Sequence, residues 1–432
     1  MRPTLTFFLS FMIAGFLSAQ SLTVPTFQNE VHLGGAGSAT GTFHFPDDVS
    51  SYNQVLMHID LNCAPGVGCD PYDRLSRIFA RKDGSEWEIG RYVTPFGIGS
   101  CGWTIDVSAY REILSGEVEL HSTIETYSNG WSLNLDFEFI EGEQDFQYIT
   151  VSNLWHGWDD GLQRSYGNFK IGDTLWFKDN LPERETLIPA NAEKIMIRVY
   201  NTGHGQGNTN NAAEFYEVTH ALRVNGEQAF EHHLWKDDCG QNPCSPQNGT
   251  WLYPRAGWCP GQDVKPADFD VSSRITPGQP ARFDYVLQPY LNRCSPLYPN
   301  CSPASDCAFG NQVSCNFDGN LHTEPRYVMA IQLIVMSNTP LTSVEEPDVE
   351  RQISLYPNPS SGTFRLGLEG PVSGNATLSV YNINGRQVYA EQMKGHGLNG
   401  HDLELGHLPE GAYFLELDAE SGRLYQKLLI QR

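Results

Sequence analysis

Between residues 21 and 340, apolar and polar positions alternate nearly throughout, the period-two signature of half-buried strands. Val55–Leu61 follows this pattern, and Lys194–Tyr200 follows it cleanly. Arg77–Arg81 and Trp87–Val93 flank Asp83-Gly84, while Ala221–Val224 and Phe230–Trp235 flank Asn225-Gly226. Both dipeptides accept the positive φ angles of a tight hairpin turn, so each pair of runs predicts a hairpin. Arg326–Met336 reads as one long apolar strand. Helical periodicity is scarce; the one helical turn predicted is Val107–Leu114, opened by Asp106. The pattern predicts an all-β chain of many short strands, enough for two sandwiches or jelly rolls. Acidic loop residues at Gly142–Asp145 place a boundary between them.

The ends of the chain read differently. Arg2, the apolar run Leu5–Leu17 and Ser18-Ala19-Gln20 predict a signal peptide over residues 1–19, cut after Ala19. The run is shorter than the ~20 apolar residues of a membrane span, and no other stretch is long enough. At the other end, residues 342–351 form a polar, acidic linker. Beyond it, Ser354–Phe364, Leu378–Tyr381, an Asn384-Gly385 turn and Leu408–Leu417 predict a small β-sandwich over residues 352–432. Its Tyr-Pro-Asn-Pro, Asn-Gly-Arg and Leu-Pro-x-Gly-x-Tyr elements resemble the type A C-terminal sorting domain of the type IX secretion system of Bacteroidetes. That resemblance implies an address label without chemistry, with the type IX machinery as partner.

Composition narrows the function. The 432 residues are 40% hydrophobic and 12% aromatic, which supports more than one buried core. With 28 Lys+Arg against 51 Asp+Glu, the net charge is −23, which argues against nucleic acid or an anionic membrane as partner. Ten cysteines, all before residue 316, fit disulfides in an exported protein. No Cys-x-x-Cys occurs, so zinc ranks well below disulfides.

Common catalytic signatures are missing: there is no His-Glu-x-x-His, Gly-x-Ser-x-Gly or P-loop. A Gly-x-Gly-x-x-Gly at Gly97, Gly99 and Gly102 opens no helix and reads as a surface loop. Four segments remain. Cys69-Asp-Pro-Tyr-Asp-Arg74 sets two carboxylates and an arginine beside a Cys63–Cys69 pair; alone, it reads as a calcium or surface loop. Glu125 lies in a strand-like stretch, where a glutamate ordinarily faces solvent. Gly203-His-Gly-Gln-Gly-Asn208, followed by Ala212-Ala-Glu214, carries alternate glycines that allow close approach to a ligand. Arg255-Ala-Gly-Trp-Cys-Pro-Gly261 offers an arginine and an aromatic ring for a sugar.

Together, and in this order, these segments resemble the peptide-N-glycosidase F family over residues 37–340. Cys-Asp-x-x-Asp-Arg and Arg-Ala-Gly-Trp-Cys-Pro-Gly are the specific matches; Gly90–Phe96, Ile105–Tyr110, Glu125-Thr-Tyr127, Ala213-Glu-Phe215 and Ser337–Pro340 support them. The resemblance implies two adjacent eight-stranded jelly rolls, here residues 20–143 and 144–341, with the site at their interface. It implies hydrolysis of the amide bond between asparagine and an N-linked glycan, giving aspartate and a glycosylamine, with no metal and no cofactor. Its substrates would be N-glycosylated proteins or glycopeptides, handled by a secreted or cell-surface monomer. Asp73 would be the essential carboxylate, with Glu125 and Glu214 supporting it and one of those two holding a proton as the acid. Arg74 would keep Asp73 ionised. Arg74 and Arg255 would hold sugar or amide oxygens, His204 would match a secondary site histidine, and Tyr72, Tyr127 and Trp258 would contact sugar. A Cys239–Cys259 bridge is implied as well.

The chain departs from the family in places. Tyr72 and Tyr127 replace two tryptophans, and Thr202 falls near a third. Ala212 and Tyr216 occupy the positions of a disulfide that flanks the second glutamate, and Cys294, Cys301, Cys307 and Cys315 have no counterpart. Two rivals come from other classes. A copper monooxygenase would use His204, His220, His232 and His233, but there is no His-x-His pair, and adjacent strand histidines face opposite ways. A non-catalytic glycan-binding or adhesive protein on the same scaffold has little use for three clustered acids.

Overall fold

In a computed structural model, residues 20–35, 37–99, 101–156, 181, 183–207, 209–290, 308–309, 312–313, 326–341, 353–368, 375–382, 386–394, 400–419 and 422–431 are described. The leader, the linker, the Asn384-Gly385 turn and Cys294, Cys301, Cys307 and Cys315 lie outside them. The chain divides into two compact units, residues 1–342 and 343–432.

In the first part of the larger unit the strands are β1 (Ser21–Pro25), β2 (Glu30–Leu33), β3 (Ser38–His44), β4 (Tyr52–Cys63), β5 (Leu75–Lys82), β6 (Ser85–Val93), β7 (Cys101–Asp106), β8 (Glu117–Ile124) and β9 (Gly130–Glu141). One sheet runs β1-β9-β4-β7, with β2 continuing the β1 edge along β9; the other runs β6-β5-β8-β3. Counting β1 and β2 as one bent edge gives four strands facing four. Alternation dictates what is buried: Val55, Met57, Ile59 and Leu61 of β4 point inward beside their cross-strand partners on β9, Phe139, Phe137, Leu135 and Leu133. The β5–β6 hairpin closes through Asp83 (φ 50°) and Gly84 (φ 77°), the left-handed pair its turn requires. The expected helical turn shortens to a 3₁₀ turn at Ser108–Tyr110, because Asp106 Oδ1 accepts the Ser108 N–H at 2.9 Å and the chain then runs into β8.

The second part comprises β10 (Tyr148–His156), β11 (Arg184–Leu187), β12 (Lys194–His204), β13 (Val218–Val224), β14 (Glu227–Leu234), β15 (Gln262–Asp263), β16 (Ala267–Asp270), β17 (Pro280–Val286), a short hairpin of β18 (Ala308–Phe309) and β19 (Gln312–Val313), and β20 (Arg326–Ser337). Sheets β10-β20-β12-β16 and β11-β17-β13-β14 enclose a core of Ile195, Ile197, Leu222, Phe283, Ile331 and Leu333. The β13–β14 hairpin turns at Asn225 and Gly226, both with positive φ. β20 is buried along almost its whole length, as its unbroken apolar run predicts.

The two parts are locked side by side. β15 adds to the edge of β6. A small apolar core at the junction joins Leu75 and Val93 to Tyr200, Trp258, Val264, Val328 and Ala330. Behind it lies a fully buried ion pair, Arg91 to Glu88, whose guanidinium also donates to the Val328 carbonyl at 2.7 Å. Disulfides link Cys63–Cys69, Cys239–Cys259 and Cys101–Cys244, the last joining the two parts across 143 residues. Bridging so long a loop restricts the unfolded chain strongly, so Cys101→Ser with Cys244→Ser is expected to cost about 3–5 kcal/mol in denaturant unfolding. A loss under about 1 kcal/mol would mean that strand pairing alone holds the two parts together.

The smaller unit has β21 (Ile353–Tyr356), β22 (Thr363–Leu368), β23 (Asn375–Asn382), β24 (Gln387–Lys394), β25 (Asp402–Glu404), β26 (Gly411–Ala419) and β27 (Gly422–Ile430). Sheets β21-β22-β25 and β24-β23-β26-β27 enclose Leu355, Phe364, Leu378, Leu415 and Leu428.

Candidate active site

Above the junction core a cleft of about 250 Å³ gathers Asp73, Arg74, Glu125, Tyr127, His204, Glu214, Trp258 and Arg326. A wider cleft of about 870 Å³ is lined by Asp47, Asp48, Glu112, Glu143 and Asp145 and shares no residue with the first. Among the described residues, no lysine, arginine or histidine lines it, although Arg111 pairs with its Glu112 at 3.4 Å and His44 with its Asp47 at 3.7 Å.

Asp73 is held by its neighbours in the chain. Asp70, three residues earlier, is fully buried and accepts hydrogen bonds from the Tyr72 N–H at 2.9 Å and the Thr126 hydroxyl at 2.6 Å. The Arg74 guanidinium grips the same carboxylate through Nε at 2.7 Å and Nη2 at 3.0 Å. Burial raises the Asp70 pKa, but Arg74 and Thr126 outweigh it and hold the carboxyl below its ordinary value. On the other side, the Arg74 backbone N–H donates to Thr94 Oγ1 and its carbonyl accepts from the Thr94 N–H, both at 2.9 Å. Asp73 therefore sits between two fixed points, with the Cys63–Cys69 bridge closing the loop before it.

Arg74 is thus the direct partner of Asp70; its charge also lowers the Asp73 pKa, as expected, but less than that of Arg255 does. Arg255 stands nearest Asp73, with Nη2 3.9 Å from Oδ2. Its Nε donates to Glu214 Oε1 at 3.0 Å, its Nη1 to the Tyr253 carbonyl at 2.8 Å and its Nη2 to the Thr250 hydroxyl at 3.1 Å. Phe215 and Trp258 pack on the guanidinium at 5.0 and 4.9 Å. Arg255 is 0% exposed, so it does not reach sugar or amide oxygens as expected; it positions two carboxylates.

Those two carboxyls have unusual acidities. Burial lifts Asp73 to about 6, a rise that Arg255 partly offsets. Burial, with the neighbouring charge of Asp73, lifts Glu214 to about 7. Two like charges facing one cation in a poorly solvated cleft share the cost of ionising. Glu125, just past β8, is fixed differently: Arg77 Nη2 donates to Oε1 at 3.3 Å and Arg326 Nη2 to Oε2 at 3.5 Å. It faces the cleft, not open solvent.

The glycine segment folds for its own reasons. A Cβ on Gly203 would lie 2.5 Å from the Ala213 carbonyl, and Gly205 has φ 102°, so the close approach is to the protein's own backbone. This lets the Glu214 N–H reach the Gly205 carbonyl at 3.0 Å. His204 stacks on Trp258 with ring centroids 5.2 Å apart. Arg91 donates to Thr202 Oγ1 at 3.0 Å, and the same oxygen lies 2.9 Å from His204 Nε2. If Thr202 donates there, the imidazole carries its own proton on Nδ1. Burial, followed by Arg326 and other nearby arginines, pushes the His204 pKa well below its ordinary value, so the ring is neutral.

The aromatic residues divide. Trp258 is 3% exposed and its N–H donates to the Gly203 carbonyl at 2.8 Å. It packs against His204 and Arg255 and has little ring left for a sugar, contrary to expectation. Tyr72 and Tyr127 are open, 58% and 74% exposed, and pack on Arg74 at 5.3 and 4.7 Å. The histidines weighed as copper ligands are otherwise engaged. His220 Nδ1 accepts from the Gln288 N–H at 3.0 Å, His232 Nδ1 bonds the Tyr285 hydroxyl at 2.6 Å, and His233 pairs with Glu217 at 2.7 Å.

The cleft therefore collects Asp73, Glu125, Glu214, Arg74, His204, Tyr127 and Trp258 from the candidates, with Arg255 behind it and Tyr72 beside Arg74. Sequence reasoning passed over Arg77 and Arg326, which hold Glu125, and read them only as strand residues.

Comparison with known proteins bears on this arrangement. Residues 171–292 match the family described as peptide-N-glycosidase F, C terminal, and residues 354–431 match a secretion system C-terminal sorting domain. The chain is 32% identical over 291 residues to peptide-N(4)-(N-acetyl-β-D-glucosaminyl)asparagine amidase F of Elizabethkingia miricola, spanning 63% of this chain and 79% of that protein. It is similar to the crystal structure of a peptide-N(4)-(N-acetyl-β-D-glucosaminyl)asparagine amidase, with TM-score 0.61, 25% identity, and coverage of 75% of this chain and 98% of that one. PNGase F of Flavobacterium meningosepticum, described as a glycosylasparaginase, gives TM-score 0.60 at 25% identity, with the same coverage. PNGF-II, at 15% identity and TM-score 0.53 over 74% of this chain and 65% of that one, shares the fold.

Proposed function

The chain belongs to the peptide-N-glycosidase F family, and from that premise we propose the part each cleft residue plays in removing an N-linked glycan. It is an exported amidase that hydrolyses the bond between an asparagine side chain and the innermost N-acetylglucosamine of glycoproteins and glycopeptides. Its sorting domain directs it to the cell surface or the medium. We read residues 20–143 and 144–341 as its two jelly-roll domains and 352–432 as its sorting domain. We take it to act as a monomer.

The observation that carries this reading is the pair Asp73 and Glu214 on the single guanidinium of Arg255. Asp73, with the lower pKa of the two, is the base: it takes a proton from water as the water oxygen bonds to the amide carbon. Glu214, raised to about 7, is the acid: it gives its proton to the amide nitrogen as the C–N bond breaks. The products are an aspartate side chain and a glycosylamine, which then loses ammonia. Of the two candidates for the acid, Glu214 fits better because it shares a cation with Asp73, while Glu125 lies between two arginines. Arg74 Nη1, the nitrogen not engaged by Asp70, and Nδ1–H of His204 are the donors for carbonyl oxygens of the substrate. Tyr127 and Tyr72 offer sugar-stacking faces.

A purely glycan-binding protein has no use for this pair, since burying two ionised carboxyls together weakens the fold. Release of a complete glycan from an N-glycosylated peptide, followed against pH, tests the reading. The rate is expected to climb through about pH 6 as Asp73 loses its proton. A flat profile there, or a glycan that leaves one sugar on the peptide, would contradict it.

A further inference from the structure

The substrate is bipartite: as a sugar enters the cleft, a polypeptide must leave it. The cleft lining carries Glu125, Arg326 and Tyr127, charged and aromatic groups that suit sugar hydroxyls and ring faces. Bonded to Arg255, outside that lining, is the turn Thr250–Tyr253, closed by the Tyr253 N–H on the Thr250 carbonyl at 3.2 Å. Turn tips are ordinarily Gly, Asn, Asp or Ser. This one holds Trp251 and Leu252, and Leu252 and Tyr253 are 55% and 57% exposed.

The turn is tied to the chemistry. Its Thr250 hydroxyl and Tyr253 carbonyl both accept from Arg255, whose Nη2 lies 3.9 Å from Asp73. It is also rigid: the Cys239–Cys259 bridge closes the loop that contains it, the Cys101–Cys244 bridge anchors that loop, and Gln247 Oε1 accepts the Phe96 N–H at 3.0 Å. A preformed apolar shelf beside the reacting carboxylate binds without ordering cost.

Resting on the amidase reading, we infer that Leu252 and Tyr253 form a subsite for the polypeptide of the substrate, taking apolar side chains near the glycosylated asparagine. In an extended peptide, residues two positions from the asparagine share its face; the one after it is the Ser or Thr of the glycosylation acceptor, so the apolar side chain that reaches the shelf is the one two positions before. The subsite makes the enzyme selective for sequence context as well as for glycan.

Two N-glycopeptides with one glycan and the same Asn-x-Thr acceptor test this, one with leucine two residues before the asparagine, the other with glycine there. The full chain is expected to show a KM roughly tenfold lower on the apolar peptide, the scale of one apolar side-chain contact. Leu252→Ser and Tyr253→Ser should each reduce that preference by raising KM on the apolar peptide more than on the glycine peptide. Equal KM values in the unsubstituted chain overturn the subsite, as does a preference that survives both substitutions or an equal loss on both peptides. If the unsubstituted chain released glycan from neither peptide, the amidase reading itself would fail and the subsite with it.

Discussion

Asp73→Asn is expected to slow glycan release by a factor of about 10³ or more, at the upper end of what a positioned base contributes. The same change is expected to strengthen the fold at alkaline pH. Burial raises Asp73 from 3.8 to about 6, so the folded chain binds this proton more tightly than the unfolded chain does. The stability that follows is fully present below the unfolded value and is lost as pH rises through about 6. Asparagine suffers no such loss. Denaturant unfolding should therefore find the variant about 1–3 kcal/mol more stable than the parent near pH 8, and equal to it near pH 4. An inactive variant that is less stable at both pH values would point to misfolding and not to a lost base.

The second large effect belongs to Arg255. Its guanidinium is buried, and it is the cation placed against both Asp73 and Glu214. Arg255→Met leaves two carboxyls facing each other in a poorly solvated cleft. Removing one side of a buried ionic group costs about 3–5 kcal/mol, because the other side stays charged and unpaired. With both carboxyl pKa values pushed higher still, the loss should be full near pH 8 and should shrink as acidification protonates the pair. Glycan release should fall at least about a hundredfold. Arg255→Lys keeps the charge but not the fork that reaches Glu214, Thr250 and Tyr253 together, so it should recover stability more than rate. A methionine variant equally stable at pH 5 and pH 8 would show that the carboxyls do not depend on this cation.

Much of this site was legible in the sequence, for identifiable reasons. Asp73 and Arg74 lie in one short motif, and Arg255 and Trp258 in another, so local spacing exposed them. The hairpins at Asp83-Gly84 and Asn225-Gly226 were legible because positive φ selects those residues. What failed depended on packing between distant elements. Arg77 and Glu125 are 48 residues apart and Arg326 and Glu125 are 201 apart, and nothing in an alternating strand marks which charge turns inward. Arg74 is the sequence neighbour of Asp73, yet its guanidinium grips Asp70, four residues back; only the fold shows that Asp70 is buried beneath it. Trp258 looked like a sugar platform because the sequence does not show that His204 and Arg255 pack against it. The Cys101–Cys244 bridge spans 143 residues and joins distant parts of the larger unit, so spacing offered no clue to it.

The central claim is that water attacks the asparagine side-chain carbon at Asp73. The direct test incubates the full chain with an N-glycosylated peptide in oxygen-18 water and reads both products by mass spectrometry. The account predicts a peptide in which asparagine has become aspartate with one oxygen-18 in its side chain, and a released glycan that keeps both core N-acetylglucosamine residues. A peptide that retains asparagine bearing one N-acetylglucosamine, or an aspartate without label, would contradict it.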